Sequence, residues 1–245
     1  MLIKVQFISG GRSSAGEIIM SRFSQKKAVK GSQKWLQEQV NSGSRALDTA
    51  LLSQVQPGGG QIEWLSPLAD DEYAEYSDGE FLQLLSLSPA KRRLESFWPH
   101  GGPEWDGLAC TDNGSVILLE AKSHITELKS DCKAKEWSME LIDASLNEAS
   151  EFYGAVSSDN WTEVYYQYAN RLAHLYLLRH LNGIRAWLVF LYFVNDIEMK
   201  GPESVEEWRE AIKNIHEHLG LTEERLAPYV IDIFYDVEKK AVLKG

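Results

Sequence analysis

The sequence holds only two cysteines, Cys110 and Cys132, in 245 residues. Their spacing is not that of a metal ligand set, and both are read as reduced thiols of a cytoplasmic protein. Long apolar runs are missing too. The longest, residues 186–194, falls far short of the ~20 residues of a membrane span. No basic segment leads into a long apolar core near the N-terminus, so no signal peptide is expected. Basic residues are in the minority, with 25 Lys and Arg against 36 Asp and Glu and a net charge of −11. The glycine-rich stretch 10–16 lacks the Gly-Lys-Ser/Thr ending of a phosphate loop and is read as a plain turn. The histidines show no zinc-type arrangement, and His216 and His218, two apart on a helix, diverge. No nucleophile elbow, internal repeat or low-complexity tract is present.

What is present suits a globular chain: 44% hydrophobic and 25% charged residues, over a length that supports one domain with embellishments. Residues 2–8 alternate as a strand, with residues 17–23 as its hairpin partner. Helical spacing begins at Ser32 (Trp35, Leu36, Gln39, Val40) and again at Ser44 (Leu47, Leu51, Val55), before Pro57-Gly58-Gly59-Gly60. The acidic run Asp70-Asp71-Glu72, with Glu75, is expected to be a solvated loop or helix start. Ser77 or Asp78 caps a helix carrying Phe81, Leu82, Leu84 and Leu85. Ser88-Pro89 opens a short helix through Leu94, Phe97 and Trp98 that Pro99 ends. Residues 133–153 form an amphipathic helix. Residues 160–183 carry the strongest helical signal, from an Asn160 to Glu163 capping box to Gly183. Residues 186–194, apolar on both faces, form an interior strand. Ser204 to Glu207 is a second capping box, and residues 229–237 alternate as a peripheral strand.

The chemistry centres on Gly102-Pro103-Glu104-Trp105-Asp106-Gly107 and the later run Val116-Ile117-Leu118-Leu119-Glu120-Ala121-Lys122. Side chains alternate across a strand, so Glu120 and Lys122 share a face. Between the runs, Asp112-Asn113-Gly114 has hairpin turn chemistry. A two-residue turn would set Asp106 against Ala121, on the wrong face. A three-residue loop with Gly114 in the left-handed conformation sets Asp106 against Glu120, and this register is predicted. Two carboxylates and an ammonium on one patch are costly in a structural sheet but suit Mg²⁺ or Mn²⁺, whose waters can attack a phosphodiester. The pattern Pro103…Asp106…Glu120-Ala121-Lys122 resembles the signature of the PD-(D/E)xK nuclease superfamily, although Pro103 stands three positions before Asp106 rather than next to it. The resemblance spans roughly residues 77–194. It implies a restriction endonuclease-like three-layer α/β sandwich, a mixed central sheet flanked by helices, with an extra N-terminal hairpin and helices.

The resemblance also implies roles. Asp106 and Glu120, with the Ala121 carbonyl, would bind the metal, and Lys122 would position the attacking water. An upstream helical acid would join them, with Glu80 favoured over Glu95. Between Asn160 and Gly183, Gln167, Asn170, Arg171 and His174 form a polar stripe at i, i+3, i+4 and i+7. That stripe is either the solvent side of a surface helix or, as the resemblance implies, the element that offers Gln167 to metal-bound water and Arg171 to phosphate. His124, just past Lys122, could reach a phosphate, and the bland reading is a loop histidine with no role. The expected function is Mg²⁺-dependent phosphodiester hydrolysis on nucleic acid, DNA ahead of RNA. The acidic charge and scattered bases (Lys26-Lys27, Lys91-Arg92-Arg93, Lys239-Lys240) then require a basic face, or a homo-oligomer or protein partner that supplies affinity. A catalytically inactive fold serving as a binding or scaffolding module is the alternative. A third reading makes Lys122 a plain salt-bridge partner of Glu120 or Asp106.

Overall fold

The computed structural model describes residues 21–43, 45–155 and 160–243. In chain order the elements are β1 (Arg22–Phe23), α1 (Gly31–Asn41), α2 (Ala46–Val55), β2 (Ile62–Ser66), β3 (Glu75–Tyr76), α3 (Asp78–Leu84), β4 (Gly107–Thr111), β5 (Val116–Lys122), α4 (Glu136–Tyr153), α5 (Tyr166–Leu175), β6 (Ala186–Val194), α6 (Val205–Leu219), α7 (Glu223–Leu226), β7 (Val230–Asp236) and β8 (Ala241–Leu243). Six strands form one sheet in the order β2-β4-β5-β6-β7-β8, parallel across β5-β6-β7 and antiparallel elsewhere. The fold is therefore α/β with a mixed sheet. No described helix is long and apolar enough to cross a membrane.

Strand alternation sorts the core into two layers. Ala109, Ile117, Leu119, Leu191 and Ile233 pack against Leu36 of α1 and Leu47 and Leu51 of α2. Leu108, Leu118, Phe190 and Phe234, on the opposite face, pack against Ile142 of α4, Leu172 of α5 and Trp208 of α6. Burial on both faces explains why β5 and β6 have almost no polar residues apart from Glu120 and Lys122. Those two follow Val116 and Leu118 on the α5 side.

The hairpin register is as predicted. Gly107 faces Leu119 and Cys110 faces Val116, which carries Asp106 opposite Glu120 one step further on. Thr111 and Ser115 close a three-residue loop through Thr111 N–H to Ser115 O at 2.9 Å, and Gly114 takes a φ of +79°. The Ser204 hydroxyl accepts the Glu207 N–H at 3.3 Å and donates to Glu207 Oε1 at 2.9 Å, so the N-cap half of that box forms.

Elsewhere local signals are overridden. The strand at residues 2–8 and most of its partner lie outside the described residues, while Arg22–Phe23 pairs with β3. The short helix after Ser88-Pro89 is reduced to a 3-10 turn at Leu94–Ser96. Leu94, Phe97 and Trp98 are buried by that single turn, so a longer helix is not needed to hide them. Nor does a helix begin at Asn160. Trp161 is fully buried with its indole N–H on Leu219 O at 3.0 Å, and Val164 has a φ of +54°, so α5 starts only at Tyr166. It runs on into a π-helical stretch, Tyr176–Leu181. The strand at 229–237 is interior, because β8 supplies the edge. β2 was not anticipated: it is an edge strand with only Ser66 buried, so it lacks the apolar alternation that marks a strand covered by the core.

Candidate active site

Five segments bring polar side chains to the C-terminal end of β5. β5 contributes Glu120 and Lys122, both under 10% exposed. The segment before β4 contributes Asp106, whose Oδ2 accepts the Ala121 N–H at 2.8 Å. α5 contributes Gln167 and Arg171. β3 contributes Glu75, because an antiparallel bridge between Tyr76 and Trp105 lays it alongside Asp106. α1 contributes Gln33, whose amide donates to Glu75 Oε1 at 2.9 Å.

Glu120 is the hub. Its Oε1 accepts from Lys122 Nζ at 2.5 Å, and its Oε2 from Arg171 Nε at 2.8 Å. Arg171 Nη2 lies 2.7 Å from the same oxygen and also donates to Glu104 O, while Nη1 donates to Asn170 Oδ1 at 2.9 Å. The guanidinium stacks over Trp105, 4.8 Å from the ring centre. Lys122 Nζ donates further to Gln167 Oε1 at 2.8 Å. A buried ion pair is held by further hydrogen bonds from its members, and here Arg171 is bonded through every nitrogen while Lys122 keeps one N–H donor free.

Environment pushes the three carboxyls apart. Burial raises Asp106 well above the usual carboxylate range, and the Glu120 charge adds to it against Lys122. Burial likewise pushes Glu75 up to about 7, against the Gln33 bond, with the Glu104 and Glu120 charges adding to the rise. Glu120 pays the same desolvation, but Arg171 and Lys122 outweigh it and hold it below the usual range. One carboxylate is thus ionised within a cationic clamp beside two that resist ionisation. A cation would relieve both of them.

The donor set is all oxygen, which suits Mg²⁺ or Mn²⁺ better than softer metals. Among the described residues, however, no three acid, His or Cys side chains are grouped to hold an ion unaided. An ion at Asp106 and Glu120 would keep most of its ligands as water, as Mg²⁺ commonly does.

The predicted residues divide accordingly. Asp106, Glu120, Ala121, Lys122, Gln167 and Arg171 come together. Glu80 does not: it is exposed on α3, while Glu75 is buried beside Asp106. Glu75 was assigned to a solvated acidic run. The available signal was its place between buried Ala74 and Tyr76, since an acid between apolar neighbours in an extended segment is not on a solvated face. The solvent-facing reading of the α5 stripe fails, because Asn170, Arg171 and His174 are 7%, 2% and 1% exposed. His174 is a core residue rather than a substrate ligand. It bonds Asn170 O through Nδ1, packs among Phe81, Trp98 and Trp105, and burial lowers it to about 4. Asn170 serves Arg171. His124 caps the 3-10 turn at Ile125–Leu128, its Nδ1 accepting the Thr126 N–H at 2.9 Å.

Compared with known proteins, the chain matches no family model, no curated protein and no solved structure.

Proposed function

We propose that the chain is a metal-dependent phosphodiesterase acting on nucleic acid, built on a restriction endonuclease-like sandwich of the PD-(D/E)xK type. The observation that carries this reading is the hairpin register, which sets Asp106 against Glu120 with Lys122 on the same face beneath Gln167 and Arg171. Asp106 and Glu120, with the Ala121 carbonyl, would hold Mg²⁺ or Mn²⁺, which when bound supplies a Lewis acid and an activated water. Lys122 uses two of its three N–H donors on Glu120 and Gln167, which leaves one to orient a water or to offset charge on a phosphate oxygen. Gln167 fixes the Lys122 ammonium, and Arg171 fixes the Glu120 carboxylate rather than holding phosphate, because each of its nitrogens is bonded within the protein.

A second reading, a non-catalytic binding module on the same fold, draws on one specific observation. Glu120 is already paired with two cations, Lys122 on Oε1 and Arg171 on Oε2, so its charge is offset without a metal and only Oε1 keeps an open lone pair. Calorimetric titration with Mn²⁺ beside cleavage assays on DNA and RNA separates the two. The hydrolase reading expects saturable binding and cleavage in the wild type, both lost in Asp106→Asn and Glu120→Gln. Absence of metal binding and of cleavage with either nucleic acid would leave the binding module.

A further inference from the structure

A second polar centre lies on the same face of the sheet, two strands from the first. Phe190 pairs with Glu120 on one side and with Asp232 on the other, so Asp232 stands level with Glu120 at about 10 Å across the strands. It lines a cavity of about 590 Å³ bounded by α5, α6, α7 and β7. Ile212, Leu226, Val230 and Phe234 form the apolar part of its wall, and Tyr168 and His216 line it beside Asp232. Asp232 Oδ1 is fully buried and accepts no hydrogen bond among the described residues. The hydroxyl of Tyr168 does not serve it, being bonded to His216 Nε2 at 2.9 Å. Burial pushes the Asp232 carboxyl up to about 7, and the nearby Glu223 charge adds to this. Asp232 as a whole is half-buried, so Oδ1 is shut off from water while the rest of the carboxyl reaches the cavity; a buried oxygen without a donor is rare in a folded protein and marks a place where a partner is missing.

We propose that this cavity binds an organic cation, an amidinium, guanidinium or primary ammonium carried on an apolar body. The apolar part of the wall fits the body, and Asp232 supplies the acceptor and the opposite charge. The rim favours the same sign of ligand. Glu206, Glu210 and Glu223 outnumber Arg209 and Lys213, and Lys213 is drawn to Glu217 at 3.7 Å. An anionic ligand would meet repulsion from both rim and floor. Such a cation can arrive as a free small molecule or as the arginine side chain of a protein partner.

The test uses the full chain without divalent metal. Benzamidine, its neutral counterpart benzamide and an acetyl-Gly-Arg-Gly-amide peptide are titrated while amide resonances are followed by NMR. Benzamidine is expected to saturate with shifts at Val230 and Phe234, and benzamide to bind at least tenfold more weakly. Asp232→Asn should weaken benzamidine at least tenfold with an unchanged or higher melting temperature, which shows that the variant is folded. Asp106→Asn should bind benzamidine like the wild type, so the result stands apart from the metal titration. Tighter binding of the peptide assigns the site to a partner's side chain, and tighter benzamidine to a free molecule. Unchanged affinity in Asp232→Asn, or no shift at Val230 and Phe234 with either cation, would overturn the proposal.

Discussion

Arg171 sits on a stripe that looks solvent-facing, yet it is the residue on which Glu120 depends. Removing it leaves a buried carboxylate with one cation instead of two. Arg171→Met is therefore expected to cost about 3 kcal/mol in urea unfolding, with loss of metal binding as Glu120 is released from its orientation. Glu75 behaves in the opposite sense. Its carboxyl titrates at about 7 in the folded protein against 4.5 in an unfolded chain. The stability it contributes is present in full below about pH 4.5 and is lost as pH rises to about 7, because the unfolded chain gives up the proton first. Glu75→Gln should therefore be more stable than the wild type at pH 8 by about 3 kcal/mol, with the difference vanishing near pH 4 in unfolding curves. His174 and Asp106 were equally visible as polar residues near an apolar run. Only the packing of Phe81, Trp98 and Trp105 around His174 separates a core imidazole from a reactive group.

At the scale of elements, local signals succeeded where the local geometry admits few answers. A loop of three residues between Thr111 and Ser115 needs a left-handed residue, and Gly114 is in the place that meets this need. Gly114→Ala is expected to cost about 1 kcal/mol, since an added Cβ meets no backbone atom and the penalty is the positive φ alone. Gly114→Asn should cost less, and thermal melts distinguish the two. The N-cap half of the Ser204 to Glu207 box formed because it closes within one turn of α6. The Asn160 to Glu163 pair has the same spacing and made only a turn. Burying Trp161 against the end of α6 outweighed one cap. The polar stripe was legible as a stripe but not as a buried one. Helical periodicity reports which residues share a face, and says nothing of what covers it.

For the whole molecule, the sheet order decides which chemistry can meet. β3 and α1 precede the hairpin by many residues, yet the Tyr76–Trp105 bridge and the Gln33–Glu75 bond deliver them to the β5 end. If the site takes a divalent cation, folding and binding are linked. Millimolar Mn²⁺ should then raise wild-type stability by about 1–2 kcal/mol, seen as a higher melting temperature, and leave Asp106→Asn unmoved. The net charge of −11 bears on the polyanion partner. With bases scattered rather than clustered, nucleic-acid affinity should vary with salt by a shallow slope, equivalent to about two or three displaced counterions in a filter-binding series.

The sequence alone determined the α/β class, the buried strand β6, the hairpin with its register, and the meeting of Asp106, Glu120 and Lys122. Each of these rests on contacts between residues close in the chain, where strand alternation and turn length leave one solution. Tertiary structure decided that Glu75 rather than Glu80 lies beside Asp106, that Arg171 clamps Glu120, that His174 is core, and that Asp232 faces a cavity. Those outcomes depend on which distant segment covers each side chain. Burial and charge pairing across the fold set them, and both are properties of neighbours that lie far away in the chain.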